Sequence, residues 1–205
     1  MHPAAKPGLK HVHAYNVGTK LKRIRLSRNV TLKALAEKTG LTNGYLSRIE
    51  NSRNFPPMST LSRIAEGLGI DIAYFFIDAG KKDKENLRVA VDRQSASVEK
   101  AFLTAFDQEG QRLYDYRPLF PEKQGRNLQP FIVSPDFQLG PAHRGEGDEL
   151  VHVLEGSMEF IYGDEKYTFS QGDTYYFDTQ IPFTGRSLGK KRAMLLVVYY
   201  PYRRS

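Results

Sequence analysis

The chain has 205 residues, with 30 Lys and Arg against 23 Asp and Glu, five His, no Cys and no Trp, and its formal net charge is +7. The lack of Cys excludes a disulfide framework, a zinc finger and a thiol nucleophile, and 40% hydrophobic residues exclude global disorder. The longest apolar run, AMLLVVYYPY, is about half of the roughly 20 residues that a bilayer requires, and the N-terminus lacks the apolar core of a signal peptide. We therefore expect a soluble cytoplasmic protein with no membrane partner.

The positive charge is confined to the first part of the chain. Residues 1 to 80 hold 12 basic and 5 acidic side chains, whereas residues 81 to 205 hold 18 of each. Such asymmetry indicates a polyanionic partner for the first part, and the length suits two domains. From composition and pattern we divide the chain into a mobile basic arm (1–16), a helical domain (17–78), a connection (79–112) and a β domain (113–205).

Apolar residues at helical spacing predict five short helices in the first domain. Thr31 and Thr42 are suited to cap the second and third helices, and Gly40, which suits the left-handed position after a helix, separates the two by a tight turn. Ser59 is predicted to cap the fourth helix, and a short fifth helix is expected over 72–76.

The stretches GTKLKRIR, TLKALAEKTGLTNGYLSRIENSR, PPM, TLSRIAEGLGI and FF closely resemble the lambda-repressor-like (XRE-type) helix-turn-helix family over about residues 17–77. The resemblance implies that the helix from Thr42 to Asn51 is a recognition helix, which enters the major groove of double-stranded DNA by its N-terminal end. Asn43 can pair with adenine, and Arg48 can reach guanine or a phosphate. The DNA-binding residues that we predict are Thr31, Lys33, Thr42, Asn43, Tyr45, Ser47, Arg48 and Arg53.

The resemblance gives Arg25 a structural role. It implies that Arg25 pairs with Glu50 in a partly buried ion pair that ties the first helix to the recognition helix, so that removing one partner leaves a charge stranded. Arg25 is therefore not counted among the DNA contacts.

From about Leu113 the pattern changes to short β segments separated by glycine turns at 156, 163–164, 172–173 and 185–190. The spacing predicts a sandwich or barrel, with MEFIY-GD-EKYTF as a hairpin. The preceding VEKAFLTAF could be a helix or an irregular connection.

The stretches GPAHRGEGDELVHVLEGSMEF and QGDTYYFDTQIPFTGRS resemble the two motifs of the cupin family, a small β-barrel or jelly roll. Cupins usually hold a divalent metal through two His in an HxH arrangement, a Glu and a third His. His143 and Glu149 match that pattern, but Gly145 and Phe183 occupy the other two positions. Two ligands are too few for a tight catalytic site, so we predict no metal and no other cofactor.

We instead predict a pocket for a small organic effector in the barrel. His143 and Glu149 would be polar anchors and Phe183 an apolar wall, with Tyr176 and Arg186 as weaker candidates; Arg186 would suit a carboxylate. The alternative for His143 and Glu149 is that they pair only with each other or with the backbone.

Together the two resemblances imply a DNA-binding transcriptional regulator that is not an enzyme. We expect it to form a homodimer through the cupin domain, to bind a palindromic operator and to sense the effector in its barrel. The main alternative is a mononuclear-metal cupin oxygenase or epoxidase that carries a helix-turn-helix-like domain. A scaffold with an unoccupied barrel is a third possibility.

Overall fold

A computed structural model describes residues 17–51, 55–75, 88–92, 102–107, 110–120 and 127–201. The expected N-terminal arm, most of the expected connection over 79–112, and Arg53 lie outside these ranges.

Four α-helices form the first part of the described chain: α1 (Val17–Ser27), α2 (Leu32–Thr39), α3 (Asn43–Asn51) and α4 (Met58–Leu68). The expected fifth helix is a single 3₁₀ turn over Ile72–Phe75, so the prediction of five helices is wrong. Four residues are too few for a run of i→i+4 hydrogen bonds, and the buried side chain of Phe75 stabilises the turn by packing. Within the described ranges, no helix is long and apolar enough to cross a bilayer.

The tight turn between α2 and α3 follows the local signals in the sequence. The Thr31 hydroxyl accepts a hydrogen bond from the Ala34 N–H at 3.0 Å, and the Thr42 hydroxyl accepts one from the Tyr45 N–H at 3.1 Å. Gly40 ends α2 with a φ of 62°, a conformation that costs glycine little. All three predicted signals are confirmed.

The start of α4 differs from the prediction of a Ser59 cap. The helix begins at Met58, after Pro57, whose fixed φ suits a helix start but whose side chain makes no capping hydrogen bond. The Met58 N–H instead donates to the hydroxyl of Tyr114, which lies in the β part of the chain, at 2.9 Å. A tertiary contact therefore satisfies the first of the amides that α4 leaves without a partner inside the helix.

Gly18 allows α1 to pack directly on the end of α3. A Cβ atom built at this position would lie 2.2 Å from the carbonyl oxygen of Ile49, so no larger residue fits without moving one helix. Around this contact the core side chains Leu21, Leu35 and Leu46 are completely buried.

Nine strands form two antiparallel sheets, one of six strands in the order β1-β2-β3-β9-β4-β7 and one of three in the order β6-β5-β8. Their bounds are β1 (Leu103–Phe106), β2 (Arg112–Pro118), β3 (Gln129–Pro135), β4 (Gly147–Glu155), β5 (Ser157–Tyr162), β6 (Glu165–Ser170), β7 (Thr174–Asp178), β8 (Phe183–Leu188) and β9 (Met194–Pro201). The predicted hairpin is confirmed as β5 and β6, joined through Gly163 and Asp164.

Two strands lie where none was expected. Strand β1 falls in the segment taken as a connection, so the sheet begins ten residues before the expected start of the β domain at residue 113. Strand β8 includes Gly185, which was taken as a turn signal. A Cβ atom there would lie 3.0 Å from the carbonyl oxygen of Glu159, so this glycine marks the close approach of β8 to β5.

The helices pack directly on the six-stranded sheet. Phe55, just before α4, forms an isolated parallel bridge with Ala105 of β1, and its ring meets that of Tyr116 edge-on at 5.2 Å. The Ser62 and Tyr199 hydroxyls lie 3.2 Å apart, which joins α4 to β9. Buried side chains from both parts form one continuous apolar cluster. A movement of α4 therefore changes contacts with the barrel.

Candidate functional site

The N-terminal ends of α2 and α3 present the residues predicted to bind DNA. Thr31, Lys33, Thr42, Asn43 and Arg48 are exposed, and Ser47 is half-buried. The hydroxyl oxygens of the two threonines accept capping hydrogen bonds, which leaves each hydroxyl proton available to a phosphate oxygen. Arg53 lies outside the described residues.

Tyr45 does not belong to this exposed set. Its side chain is only 5% exposed, packs in the helical core, and makes a side-chain hydrogen bond with Thr60 of α4. The Arg48 guanidinium carbon lies 6.0 Å from the centre of its ring. The prediction that Tyr45 contacts a phosphate is therefore corrected: Tyr45 links the recognition helix to α4.

The barrel encloses a cavity of about 670 Å³ of atom-free space, including its mouth. His143, Glu149 and Phe183 all line it, so the structure brings together the three strongest candidates for the effector site. The remaining walls come from side chains of both sheets and from one helical residue, Met58, at the start of α4.

Among the described residues that line the cavity, Glu149 is the one acidic side chain. Its side chain is half-buried, because it borders the empty space of the cavity. Burial away from water raises the pKa of this carboxyl to about 7. Within the described chain its carboxylate makes no hydrogen bond or ion pair. Protein interiors seldom hold such a group without a functional reason.

His143 lies beside Phe183, with ring centres 4.2 Å apart, and their backbones form an isolated antiparallel bridge. Burial lowers the pKa of His143 to about 4, partly opposed by the carbonyl of Pro141. Its Nδ1 atom is buried and has no hydrogen-bond partner of normal geometry within the described part of the chain. His143 is therefore a neutral imidazole at physiological pH. The alternative that it pairs with Glu149 is not supported, because no bond joins them.

Residues 21–75 match the family model described as helix-turn-helix, and residues 131–199 match the model described as cupin domain. The chain is 37% identical over 189 residues to the HTH-type transcriptional regulator SutR of Escherichia coli K12, a match that covers 90% of this chain and 95% of SutR. The chain belongs to the family of helix-turn-helix transcriptional regulators with a cupin domain. It is accordingly a DNA-binding protein of transcription control.

Two further relatives align over most of this cupin regulator. The HTH-type transcriptional regulator PuuR of Escherichia coli K12 is 24% identical over 174 residues, which cover 84% of this chain and 89% of PuuR. A crystal structure of an HTH_3 family transcriptional regulator from Vibrio cholerae superposes with a TM-score of 0.60 and 26% identity, covering 92% of this chain and 97% of the other. The helical and β parts thus occur together in these regulators.

Two predicted effector contacts of the cupin regulator lie outside the cavity. Tyr176 is 64% exposed on the outer face of β7, because the inward positions of that strand are Tyr175 and Phe177. Arg186 donates from its Nε to Glu159 Oε1 at 3.0 Å and does not line the cavity. Both assignments are corrected.

The metal site of other cupins does not fit the residues of this regulator. A Cβ atom at Gly145 would lie 2.9 Å from the Thr179 hydroxyl, so the backbone there leaves little room for a histidine. Phe183 cannot ligate a metal, and its ring packs on His143. His152 points away from Glu149, because side chains three residues apart lie on opposite faces of a strand, and it bonds to the Thr174 hydroxyl at 2.8 Å. Within the described ranges no group of three His, Asp or Glu residues could hold a metal.

The sequence-based reasoning missed Met58, Tyr114, Tyr175 and Tyr199 as cavity residues. Burial raises the pKa of all three tyrosines, and that of Tyr199 reaches about 12, so their hydroxyls stay protonated and act as hydrogen-bond donors or acceptors. The period-two pattern of β7 could not single out Tyr175, because aromatic residues occupy both sets of alternating positions in that strand. Met58 carried no such signal, because its position depends on how the helices pack on the barrel.

Proposed function

We propose that this transcriptional regulator changes its affinity for DNA when a small organic effector enters the barrel cavity. The observation that supports the proposal is that Met58, at the start of α4, and Glu149, on β4, line the same cavity. An effector that contacts Glu149 therefore lies in a space that a helix of the DNA-binding part helps to enclose.

Packed contacts connect this space to the recognition helix. Met58 begins α4, whose Thr60 bonds to Tyr45 of α3, and Tyr114 of β2 accepts the hydrogen bond from the Met58 N–H. An effector that fits one arrangement of α4 better than another shifts the balance between them, by no more than its difference in affinity for the two. Direct packing thus supplies a route that does not depend on the connection between the domains.

The coupling predicts that operator DNA alters the cavity, because linkage between two sites is reciprocal. With methyl-labelled methionine, we expect the NMR signal of Met158, which lies in the barrel and lines the cavity, to shift when the protein is saturated with an operator selected from random-sequence DNA. Met194, which does not line the cavity, is the internal reference.

Tyr114→Phe removes the hydroxyl that bonds to the start of α4, and we expect it to reduce the Met158 shift by about half or more. Tyr167→Phe removes an exposed hydroxyl on β6, away from the cavity lining and from the outer face of β9, and should leave the shift unchanged. An identical Met158 signal with and without operator would rule out the coupling.

We propose that the exposed ends of α2 and α3 bind the operator, with Asn43 reading a base and Lys33 contacting phosphate. Asn43 is exposed at the first residue of the recognition helix, where its amide is free to enter the major groove. Thr31, Thr42, Ser47, Arg48 and Arg53 complete the proposed surface.

Asn43→Ala is expected to weaken binding to the selected operator by about 1 to 3 kcal/mol, while binding to random DNA stays the same. Lys33→Ala should weaken binding to both DNAs equally and reduce the slope of log affinity against log salt by about 0.9. Fluorescence anisotropy at several salt concentrations measures both. Equal losses on operator and random DNA for Asn43→Ala would exclude base reading by this residue.

We propose that the homodimer forms on the outer face of β4, β7 and β9. Leu150, Tyr176 and Tyr200 are exposed there, and Leu150 pairs across the strands with Tyr176. Apolar side chains that are adjacent on one face are typical of a surface that another molecule covers. Two chains joined in this way would present two recognition helices to a palindromic operator. Light scattering of the purified chain measures its oligomeric state.

We infer that the barrel does not serve a metal-dependent oxygenase. A catalytic metal generally needs three protein ligands, and Gly145 and Phe183 stand at two of the positions that supply them in other cupins. Near-stoichiometric iron in the purified protein, lost in a His143→Ala variant, would overturn this inference.

A further inference from the structure

The described residues that line the cavity include one acidic side chain, Glu149, and no Lys or Arg. We propose that the effector is a small organic ammonium ion, whose charged group pairs with Glu149 and whose apolar body lies against the aromatic wall. This inference rests on the proposed role of the cavity as an effector site.

The strand register places aromatic rings on both sides of the Glu149 carboxylate. Glu149 of β4 is directly opposite Phe177 of β7 and directly opposite Tyr199 of β9. Directly opposed residues of antiparallel strands point to the same face of the sheet, and all three line the cavity. A group that reaches the carboxylate therefore passes between aromatic side chains.

The aromatic wall continues beyond these two residues. The rings of Phe160 and Phe177 have centres 4.9 Å apart, those of Phe177 and Phe183 are 4.8 Å apart, and those of Phe160 and Tyr175 are 5.0 Å apart. Aromatic faces attract cations through their quadrupoles, most strongly where water is excluded. The Glu149 carboxylate and the aromatic rings can both attract an ammonium group. The rings can also cover the apolar part of the same ligand.

The strands next to β4 contain no Lys or Arg, and the two basic side chains of the three-stranded sheet are committed elsewhere. Arg186 and Lys166 both form ion pairs with Glu159, which neutralises that carboxylate away from the cavity. Among the described residues that line the cavity, the one other group that titrates in the acid range is His143, which is neutral and can accept a hydrogen bond from an ammonium N–H. The charge of Glu149 is therefore left for a ligand to balance.

The same geometry disfavours an anionic effector. Arg186 in the cavity would have suited a carboxylate, but the structure places it against Glu159. Without a cation, a carboxylate ligand would meet the like charge of Glu149 in a poorly solvated space, which is costly. Because Arg186 does not line the cavity, the expected ligand is a cation and not the carboxylate that Arg186 would have bound.

The test compares ligands that differ only in the polar group. Ethyl, butyl and benzyl compounds are each used as the ammonium ion, the alcohol and the carboxylate, and their binding is measured by calorimetry at pH 8. We expect at least one ammonium ion to bind about tenfold or more tightly than its matched alcohol, and the carboxylates to bind more weakly still. Glu149→Gln should abolish the preference, whereas Glu155→Gln, which removes an exposed carboxylate of the same strand, should retain it.

Each other outcome overturns the inference in a way that can be distinguished from failure of the proposed function. Alcohols or carboxylates that bind as tightly as the ammonium ions would show a working effector site with a different ligand class. A preference for ammonium that survives Glu149→Gln would place the cation elsewhere. If none of the compounds binds, the ligand class is wrong, and the methionine experiment still decides separately whether cavity and operator are coupled.

Discussion

Replacing Glu50 with alanine is expected to lower the free energy of unfolding by about 3 to 5 kcal/mol, because Arg25 would keep a buried charge without its partner. Arg25 Nε lies 2.6 Å from Glu50 Oε1 and Nη2 lies 2.9 Å from Oε2, and the two side chains are 8% and 2% exposed. The ion pair predicted from the sequence is thus confirmed. Chemical denaturation followed by circular dichroism measures the loss.

The loss should extend to DNA binding, because the ion pair joins α1 to the recognition helix. Arg25 also donates from Nη1 to the carbonyl of Val30, so it fixes the segment that leads into α2. Glu37→Ala removes an exposed carboxylate from the same group of helices, and it should change stability by less than about 0.5 kcal/mol.

A second variant keeps the prediction testable if Glu50→Ala fails to fold. The double replacement Arg25→Met with Glu50→Leu removes both charges and fills a similar volume, so it should recover most of the lost stability. Unchanged melting of Glu50→Ala would show that the ion pair contributes little, and a double variant no more stable than Glu50→Ala would show that lost packing is the cause.

The helix-turn-helix was predictable because its signals are local. A threonine cap bonds to an amide three residues away, and Gly40 needs only its own φ, so Thr31, Gly40 and Thr42 could be assigned from neighbouring residues. The Ser59 cap was wrong for the converse reason. The helix begins one residue earlier, at Met58, whose amide finds its acceptor in Tyr114, 56 residues along the chain.

Tyr45 was predicted to face DNA, but it lies on the buried face of α3. It stands four residues before Ile49, which lies in the same helix and is buried. Residues four apart share one helix face, so the spacing contained the signal. The hydroxyl favoured a role in DNA binding, but it is used within the fold instead.

The sequence predicted that the barrel holds a cavity, but it predicted only some of the side chains that line it. In β7 both sets of alternating positions contain aromatic residues, so the sequence alone could not decide whether Tyr175 or Tyr176 points inward. The register settles this, because Phe177 is opposite Glu149 and therefore shares its face with Tyr175. Arg186 was misplaced because its strand looked like a turn.

Glu149→Gln is expected to stabilise the protein by about 2 to 3 kcal/mol at pH 8 and to have little effect at pH 5. The pKa of Glu149 is raised from 4.5 to about 7 by burial, so the folded state disfavours the ionised form. Glutamine resembles the protonated carboxyl and carries no such cost. For a chain of this length the gain at pH 8 corresponds to a rise in Tm of roughly 4 to 10 °C.

The sign follows from proton linkage. Between about pH 4.5 and 7 the folded protein keeps a proton on Glu149 that the unfolded chain releases, so this group makes stability fall as pH rises through that window. His143 acts oppositely: its pKa is lowered from 6.5 to about 4, so between these values its contribution makes stability rise with pH. The two contributions largely cancel in the wild type near pH 5 to 6. The other titratable groups near the carboxylate, Tyr114, Tyr175 and Tyr199, remain protonated throughout.

The difference in Tm between Glu149→Gln and wild type at each pH isolates the carboxyl, because the contribution of His143 is common to both. Glu155→Gln should show no difference at either pH, since that carboxylate is exposed. A Glu149→Gln protein that is less stable than wild type at pH 8 would mean that favourable contacts hold the carboxylate in the folded chain. A gain that grows between about pH 4.5 and 7 and is complete above pH 7, in contrast, is the expected cost of keeping a ligand-binding charge in an apolar cavity. It should disappear when a bound ammonium ion balances that charge.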